Sequence, residues 1–312
     1  MHFSPVPLHI PDGFLSLAIS LIFWAITAVT VGIAISRTNK SLGEKQIPLM
    51  GVMAAFIFAA QMLNFPVAGG TSGHFLGGAL AAIVLGPWAA ILVMTAVIAV
   101  QGLLFQDGGL LVMGANIFNM GLLTAAIGYG LYRAASGGSK GVRYAVAGFG
   151  AWIAVIASAF VTSLQLWLSG TSQLQIVLPA MLGVHVLIGI GEAVVTVAAL
   201  TFIEQTRPDL LNEKSTAEKG GRGWIYAGVV IALLAVFLSP LASAFPDGLE
   251  RVAENVGFLE QGQSAPYQIL PDYTIPFLGE TALSTIVAGA VGALVLLGLM
   301  IVVGNMLRRK KQ

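Results

Sequence analysis

The chain of 312 residues has no cysteine, only four histidines and few charged residues. The lack of cysteine excludes a disulfide framework and a thiolate metal site, so a bound metal would need imidazole, carboxylate or backbone nitrogen. Charged residues make up 9% of the chain, against about 25% in ordinary soluble domains, and apolar residues make up 57%. This composition is typical of a membrane protein. The 15 basic and 14 acidic residues nearly balance, and we expect no nucleic-acid partner.

Long, continuous apolar runs dominate what the chain does contain. Since a helix needs about 20 apolar residues to cross a bilayer, these runs predict about eight transmembrane helices. The predicted spans are residues 15–35, 46–63, 88–105, 115–132, 145–169, 185–205, 225–243 and 282–306. A shorter run, 75–86, is either a half-helix or a part of the following span across the Gly86-Pro87 break. The expected fold class is an all-α polytopic integral membrane protein.

The positions of the basic residues predict the orientation of the chain. All of them except Arg251 lie in four segments, which are 36–45, 133–143, 206–224 and the C-terminal tail. The positive-inside rule places these segments in the cytoplasm and the N-terminus outside, provided that 75–86 forms one arm of a hairpin. Because residues 1–14 lack Lys and Arg, the first span is not expected to be a cleaved signal peptide. We therefore expect a multi-pass protein of the inner (plasma) membrane with a cytoplasmic C-terminus.

A polar, charged segment divides the chain into two apolar blocks. We predict a larger membrane domain at 1–205, a cytoplasmic linker at 206–224 and a two-span unit at 225–312. An acidic loop of about 38 residues joins the two spans of this unit, and it could attract cations electrostatically. The triplet Pro-Asp-Gly occurs in both blocks, at 11–13 and 246–248, and it predicts a tight turn at each place.

Two histidines lie in distinctive segments at the predicted outer boundary of the membrane. His9 lies in Leu-His-Ile-Pro-Asp-Gly-Phe-Leu-Ser at 8–16, and His74 ends Gly-Gly-Thr-Ser-Gly-His at 69–74. Imidazole is a common ligand of divalent first-row transition metals. Two imidazoles on one membrane face therefore predict the capture of a transition metal ion.

Further polar residues could take part in such a site. His185, a third candidate ligand, begins a later span from the same face, and Glu192 lies two turns deeper on the same side of the helix. A carboxylate inside a span is costly and usually faces a cavity or a partner. For both residues, hydrogen bonding between helices is the alternative interpretation. The same alternative applies to Asn64, Ser72 and Asn116, which could instead orient a metal-binding histidine.

Several catalytic motifs are absent from the sequence. It contains no Walker motif for ATP hydrolysis, no His-Glu-x-x-His and no Gly-x-Ser-x-Gly, and we expect no enzymatic activity. Two alternatives stay open. One is a membrane metalloenzyme that binds a catalytic metal through His74, His185 and Glu192. The other is a passive ion channel, which would need polar residues along whole spans, whereas they lie here mainly at span ends.

The histidine segments resemble the NikM/CbiM family, the substrate-binding (S) components of nickel and cobalt energy-coupling-factor (ECF) transporters. The resemblance covers about residues 8–205, and it is carried by the segments 9–16, 64–78, 108–109, 114–120 and 185–192. Residues 225–306 resemble the small N component, NikN/CbiN, whose hallmark stands here as Pro246-Asp247-Gly248-Leu249-Glu250. The resemblance implies a fused M–N chain.

The resemblance also implies a substrate and partners. S components of this type work with a membrane coupling (T) component and a pair of cytoplasmic ABC ATPases, which agrees with the lack of a Walker motif. The metal ion is a transported substrate, and no cofactor is implied. Ni²⁺ is the preferred substrate because a planar set of four nitrogens suits its d-electron geometry, and Co²⁺ is the alternative.

The family's ligands are the N-terminal amine, the next backbone amide, the imidazole of that second residue and the histidine of Gly-Gly-Thr-Ser-Gly-His. These positions correspond here to Leu8, His9 and His74, but seven residues precede Leu8 in this chain. Either translation starts at codon 8, or the extra residues are removed, or Met1 and His2 supply the amine and the imidazole on a longer arm. We favour a start at codon 8, since Ile-Pro-Asp-Gly follows His9 and not His2.

Overall fold

The apolar runs of the sequence fold into a bundle of helices. The computed structural model describes residues 9–41, 43, 46–211 and 223–309. In chain order the described helices are α1 (Leu17–Ser41), α2 (Gln46–Gln61), α3 (Gly78–Leu85), α4 (Pro87–Val100), α5 (Met113–Asn116), α6 (Thr124–Ala134), α7 (Lys140–Leu168), α8 (Leu174–Thr206), α9 (Gly223–Leu238), α10 (Gly248–Val256) and α11 (Ala282–Arg309). Two short strands, β1 (Phe65–Val67) and β2 (Thr71–Gly73), lie between α2 and α3.

Six described helical segments are long and apolar enough to cross a membrane. They are Leu17–Lys40, Pro87–Phe105, Lys140–Leu168, Leu174–Thr206, Gly223–Leu241 and Ala282–Arg308. The predicted class, an all-α polytopic membrane protein, is confirmed. The predicted span 46–63 is the shorter helix α2, and the predicted span 115–132 contains π-helical turns at Ile117–Leu123, between α5 and α6. The count of eight spans and the orientation of the termini stay predictions.

The run 75–86 forms a half-helix of its own. Its helix, α3, has eight residues, all of them buried, and at about 1.5 Å per residue it is about 12 Å long. Gly86, with φ +81°, ends α3 and precedes Pro87 in the first turn of α4. The two helices are in contact, and the break between them lies at Gly86-Pro87. A helix of this length is much shorter than the roughly 30 Å of a bilayer core, so the hairpin on which the predicted orientation depends stays a prediction.

The short β-hairpin was not predicted. Its strands are antiparallel, with Phe65 opposite Gly73 and Val67 opposite Thr71, and two glycines with positive φ, at 69 and 70, form its turn. Strands of three residues are too short to show the alternating pattern that predicts a strand from sequence. The hairpin leads directly to His74.

The two-span unit packs on α2 through close backbone contacts. A Cβ on Gly51 of α2 would lie 2.9 Å from the carbonyl oxygen of Leu297, and a Cβ on Gly292 of α11 would lie 2.2 Å from Cζ of Phe58. Small residues let membrane helices approach in this way. Residues 212–222 of the predicted linker lie outside the described residues.

Candidate metal centre

A short segment before α1 carries His9 and is fixed by hydrogen bonds to the backbone. Asn116 pairs with Ile10 in both directions, because its Oδ1 accepts from the Ile10 amide at 3.1 Å and its Nδ2 donates to the Ile10 carbonyl at 3.0 Å. The Asp12 carboxylate accepts the amide hydrogens of residues 110–112 at 2.9–3.2 Å. These bonds hold His9, which is 2% exposed, against the loop before α5. Asn116 therefore supports His9 through the backbone and not through its ring.

Two glycines allow this close approach. Gly108 has φ +98°, and a Cβ there would lie 2.9 Å from the Cβ of His9. A Cβ on Gly109 would lie 2.2 Å from the amide nitrogen of Asp12. The Gly109 amide also donates to the Ile10 carbonyl at 3.0 Å. A side chain at either glycine would push the His9 segment away.

Glu192 of α8 holds the backbone next to His74. Its carboxylate accepts the amide hydrogens of Leu76 at 2.6 Å and of Gly77 at 2.9 Å, and it is 1% exposed. Buried carboxylates are tolerated where they are fully hydrogen-bonded. The charge inside the span therefore has a partner, which is the backbone that positions His74.

The two imidazoles contact each other in a T-shaped arrangement. The ring centroids of His9 and His74 are 5.5 Å apart, with 68° between the ring planes. His9 Nδ1 lies 3.2 Å from the carbonyl oxygen of Asp107, and His9 Nε2 is buried without a hydrogen-bond partner. His74 Nδ1 lies 3.3 Å from the carbonyl oxygen of Phe75. Each ring thus has one nitrogen that no backbone carbonyl engages.

Burial sets the protonation of His74. Burial is the main cause that lowers the pKa of His74, to about 4, and electrostatic repulsion from the neighbouring His9 is the second. The ring is therefore neutral at pH 7. A neutral imidazole is the form that binds a metal ion, because the lone pair must be free.

A small cavity of about 60 Å³ lies beside the two rings. Its polar lining consists of His9, His74, Asn116, Asn119, Ser158, Thr162, His185 and Asp247. Pockets for organic ligands are usually about 300–1,000 Å³, whereas about 10–15 Å³ holds one water molecule. The cavity therefore has room for a metal ion and a few waters, and it is too small for most organic substrates.

Other polar residues of the cavity are engaged with their neighbours. His185 Nδ1 lies 2.8 Å from the carbonyl oxygen of Met181, one turn earlier in α8. Asn119 Nδ2 donates to Gln165 Oε1 at 2.7 Å and to Thr162 Oγ1 at 3.1 Å, which joins two helices. For His185, a bond within its own helix thus occupies one ring nitrogen.

The two-span unit reaches the cavity through Asp247. Asp247 caps α10: its Oδ1 accepts the Glu250 amide at 2.7 Å, and Glu250 Oε2 accepts the Asp247 amide at 3.3 Å. The other carboxylate oxygen, Oδ2, lies 3.9 Å from Nε2 of His74. Burial raises the pKa of Asp247 to about 8, although the hydrogen bond from Glu250 opposes this. A second module thus places a carboxyl group beside a candidate ligand.

The predicted turn at 246–248 is wrong, because this segment begins α10 with a reciprocal capping box. At Gly248 a Cβ would lie 2.8 Å from Cε1 of His185, so only glycine lets the helix start this close. The predicted turn at 11–13 is present, with Gly13 at φ +91° and a bond of 3.4 Å from the Phe14 amide to the Pro11 carbonyl.

Hydrogen bonds also join the β-hairpin to the two-span unit. Ser72 donates from its amide to the Pro246 carbonyl and from its Oγ to the Phe245 carbonyl, both at 2.8 Å. The Asn64 carbonyl accepts the Ser243 amide at 2.8 Å, while Asn64 Oδ1 is buried without a partner. Ser72 and Asn64, which were expected to orient a histidine ring, therefore connect the two units.

Three predicted ligands, Met1, His2 and Leu8, lie outside the described residues. Within the described part of the chain, no group of three or more His, Asp or Glu residues is placed to hold a metal ion. Of the described candidate ligands, His9 and His74 are the two whose rings are in contact beside the cavity.

Sequence reasoning missed Tyr273, and it named Gln101, Asp107 and Asp247 without the contacts that they make. Tyr273 Oη donates to Asp107 Oδ2 at 2.7 Å, and Gln101 Nε2 donates to Tyr273 Oη at 3.2 Å. Nothing in the sequence pairs Tyr273 with Asp107, because 166 positions separate them. The role of Asp247 could have been found from its spacing to Glu250, since Asp-x-x-Glu is a capping-box pattern.

Known families match both parts of the chain. The family described as "Cobalt uptake substrate-specific transmembrane region" matches residues 9–210. The chain belongs to this cobalt uptake family. The PDGLE domain, whose description repeats the Pro-Asp-Gly-Leu-Glu of α10, matches residues 222–309. The predicted resemblance to a fused M–N chain is confirmed.

Relatives of this cobalt uptake family member are metal transport proteins. It is similar to the "Putative fused nickel transport protein NikMN" of Archaeoglobus fulgidus, with 37% identity over 94% of this chain and 96% of the relative. A "Putative metal transport protein" of Haloquadratum walsbyi is 43% identical over 65% of this chain and 93% of that one. The crystal structure of a transition metal transporter has a TM-score of 0.59 and 32% identity, and the match covers 68% of this chain and all of that one. The chain is therefore a multi-pass membrane protein of nickel and cobalt transport.

Proposed function

We propose that the protein is the substrate-capture (S) component of an ATP-driven ECF-type transporter that imports Ni²⁺, with Co²⁺ as the alternative substrate. The observation that carries this proposal is the pair of His9 and His74. Two buried imidazoles contact each other in a T-shaped arrangement beside a cavity of about 60 Å³. An ion-sized cavity with imidazole ligands suits a transition metal.

The proposed ligand set consists of four nitrogens. His74 supplies its imidazole, His9 supplies its imidazole and its amide, and residue 8 supplies a free amine. A planar set of nitrogen ligands suits Ni²⁺ better than Co²⁺. The proposal of backbone ligands agrees with the described residues, among which no group of three His, Asp or Glu side chains is placed to hold a metal ion.

The fourth ligand depends on the first residue of the mature chain. If Leu8 is the first residue, its amine lies next to His9 and both can bind one ion. Any residue in front would turn this amine into a peptide nitrogen, and nickel affinity would fall by orders of magnitude. Intact-mass measurement of the protein made from its native gene tests the assignment. A chain that begins at Met1 and binds nickel through His2 would contradict it.

The proposed partners are a membrane coupling (T) component and a pair of cytoplasmic ABC ATPases, since the sequence contains no Walker motif. Domain 1–205 would capture the ion at the outer face, and the two-span unit at 225–312 would help to load or release it. The linker 206–224 would lie in the cytoplasm. ATP hydrolysis by the partners would then drive the release of the ion inward.

Uptake and binding of nickel test the proposed function together. We expect His9→Ala and His74→Ala to abolish both nickel binding and ATPase-dependent uptake. His185→Ala is the matched control, because His185 already bonds its own helix, and it should keep nickel binding. Uptake that continues without the ATPases would favour a channel. Loss of binding in His185→Ala alone would favour the metalloenzyme alternative.

A further inference from the structure

Asp107 approaches Nδ1 of His9 with two different oxygens. Nδ1 lies 3.2 Å from the carbonyl oxygen of Asp107 and 3.5 Å from its carboxylate Oδ1. The carboxylate is 3% exposed, and Oδ1 has no hydrogen-bond partner. Its other oxygen, Oδ2, accepts the hydroxyl of Tyr273 at 2.7 Å. One oxygen is thus fixed by the two-span unit, and the other lies beside His9.

The position of the Tyr273 hydroxyl is itself tightly determined. The ring stacks on Phe105 with centroids 4.7 Å apart and planes at 19°, and Gln101 donates to the hydroxyl at 3.2 Å. Asp272 and Tyr273 both have left-handed backbone, with φ of +50° and +57°. Non-glycine residues keep such a conformation where the surroundings over-determine it, often at functional sites.

The proposed function requires the same atom that Asp107 engages. In the proposed planar set, the amide and the imidazole of His9 bind one ion. Only Nδ1 is close enough to the residue's own amide for both atoms to reach that ion. The ring can therefore place Nδ1 beside Asp107 or on the metal, but it cannot do both.

We propose that Tyr273 is a positioning residue that acts through Asp107 to stabilise the release orientation of His9. The Tyr273 hydroxyl keeps the Asp107 carboxylate turned so that Oδ1 stays beside Nδ1. This contact exists only when Nδ1 has left the ion, so it favours release over retention. The two-span unit would thereby set how fast the ion leaves. This inference rests on the ligand set of the proposed function.

Tyr273→Phe tests the inference with little change in packing, since the stacked ring is kept. The measurement is the rate at which nickel dissociates from the full-length protein, with an excess of chelator to trap the released ion. We expect dissociation from the variant to be about five-fold slower, as the loss of one supporting hydrogen bond predicts. In the assembled transporter, the maximal rate of uptake and the KM for nickel should both fall. Tyr267→Phe removes a hydroxyl from another tyrosine of the same loop, and it should match the wild type.

A double-mutant cycle with Asp107→Asn separates positioning from general structure. If Tyr273 acts through Asp107, Tyr273→Phe should change nickel release little in the Asp107→Asn background. Equal effects in both backgrounds, faster release, or unchanged release from Tyr273→Phe would overturn the inference. Failure of the wild type to bind nickel would instead overturn the proposed function.

Discussion

Bonds to the backbone position the two histidines. Asp12 binds the amides of residues 110–112, and Glu192 binds those of Leu76 and Gly77. A buried donor that loses its acceptor costs about 1–3 kcal/mol, which is more than an average hydrogen bond contributes. The site should therefore depend strongly on residues that never touch the ion.

Glu192→Gln is expected to weaken nickel binding about 10- to 100-fold, the usual effect of losing a group that orients a ligand. The reason is that glutamine has only one accepting oxygen. Its NH₂ group replaces the other, so one of the two backbone amides would lose its acceptor. Isothermal titration with nickel measures the change.

Glu204→Gln is the matched control for this prediction. Glu204 lies on the same helix and contacts Lys140 and Tyr144, away from the cavity. We expect nickel affinity close to that of the wild type. Equal losses in the two variants would show that Glu192 acts on the helix as a whole and not on His74.

Single residues also show what the sequence can and cannot predict. His9 and His74 were found because histidine is rare here and lies in distinctive segments. The link from Tyr273 through Asp107 to His9 was not found, since Asp107 and Tyr273 meet only through tertiary packing. The role of Asp247 was misjudged because Pro-Asp-Gly is common in turns, although here it begins a helix.

At the level of helices and strands, the predicted spans were the most reliable feature. A long, continuous apolar run predicts a helix that is either buried in the protein or in contact with lipid. The β-hairpin before His74 depends instead on local contacts that composition does not show, and the separate helix α3 was predicted as only one of two alternatives for 75–86. Those two elements are the ones that bring His74 into the bundle.

Gly292→Val is expected to loosen the contact between α11 and α2. The new side chain would overlap Phe58, which is itself packed between Phe105 and Tyr273 and has little freedom to move. Overpacking of this kind usually costs about 1–3 kcal/mol. Thermal unfolding in detergent should show a lower Tm.

Gly298→Val provides the comparison on the same helix. A Cβ at Gly298 would meet nothing within 4 Å, so the same substitution adds no clash there. Its Tm should stay close to that of the wild type. If both variants lose the same stability, the effect comes from valine in a helix and not from the interface.

Across the whole molecule, the proposed ligands lie in the first unit and their surroundings come from both. Deleting residues 225–312 should abolish ATP-dependent uptake while leaving equilibrium nickel binding largely intact. We expect the shortened chain to fold, because a solved transition metal transporter matches only 68% of this chain and the match covers all of that transporter. Parallel uptake and titration measurements check the prediction. Loss of binding in the deletion would show that the second unit supplies a ligand.

The bonds from Ser72 to Pro246 and from Tyr273 to Asp107 need no peptide connection between the two units. They would survive a cut within 212–222. Covalent fusion then contributes effective concentration. A split gene could therefore produce the same complex from two polypeptides, provided that the cell makes enough of both. Fusion makes equal stoichiometry automatic.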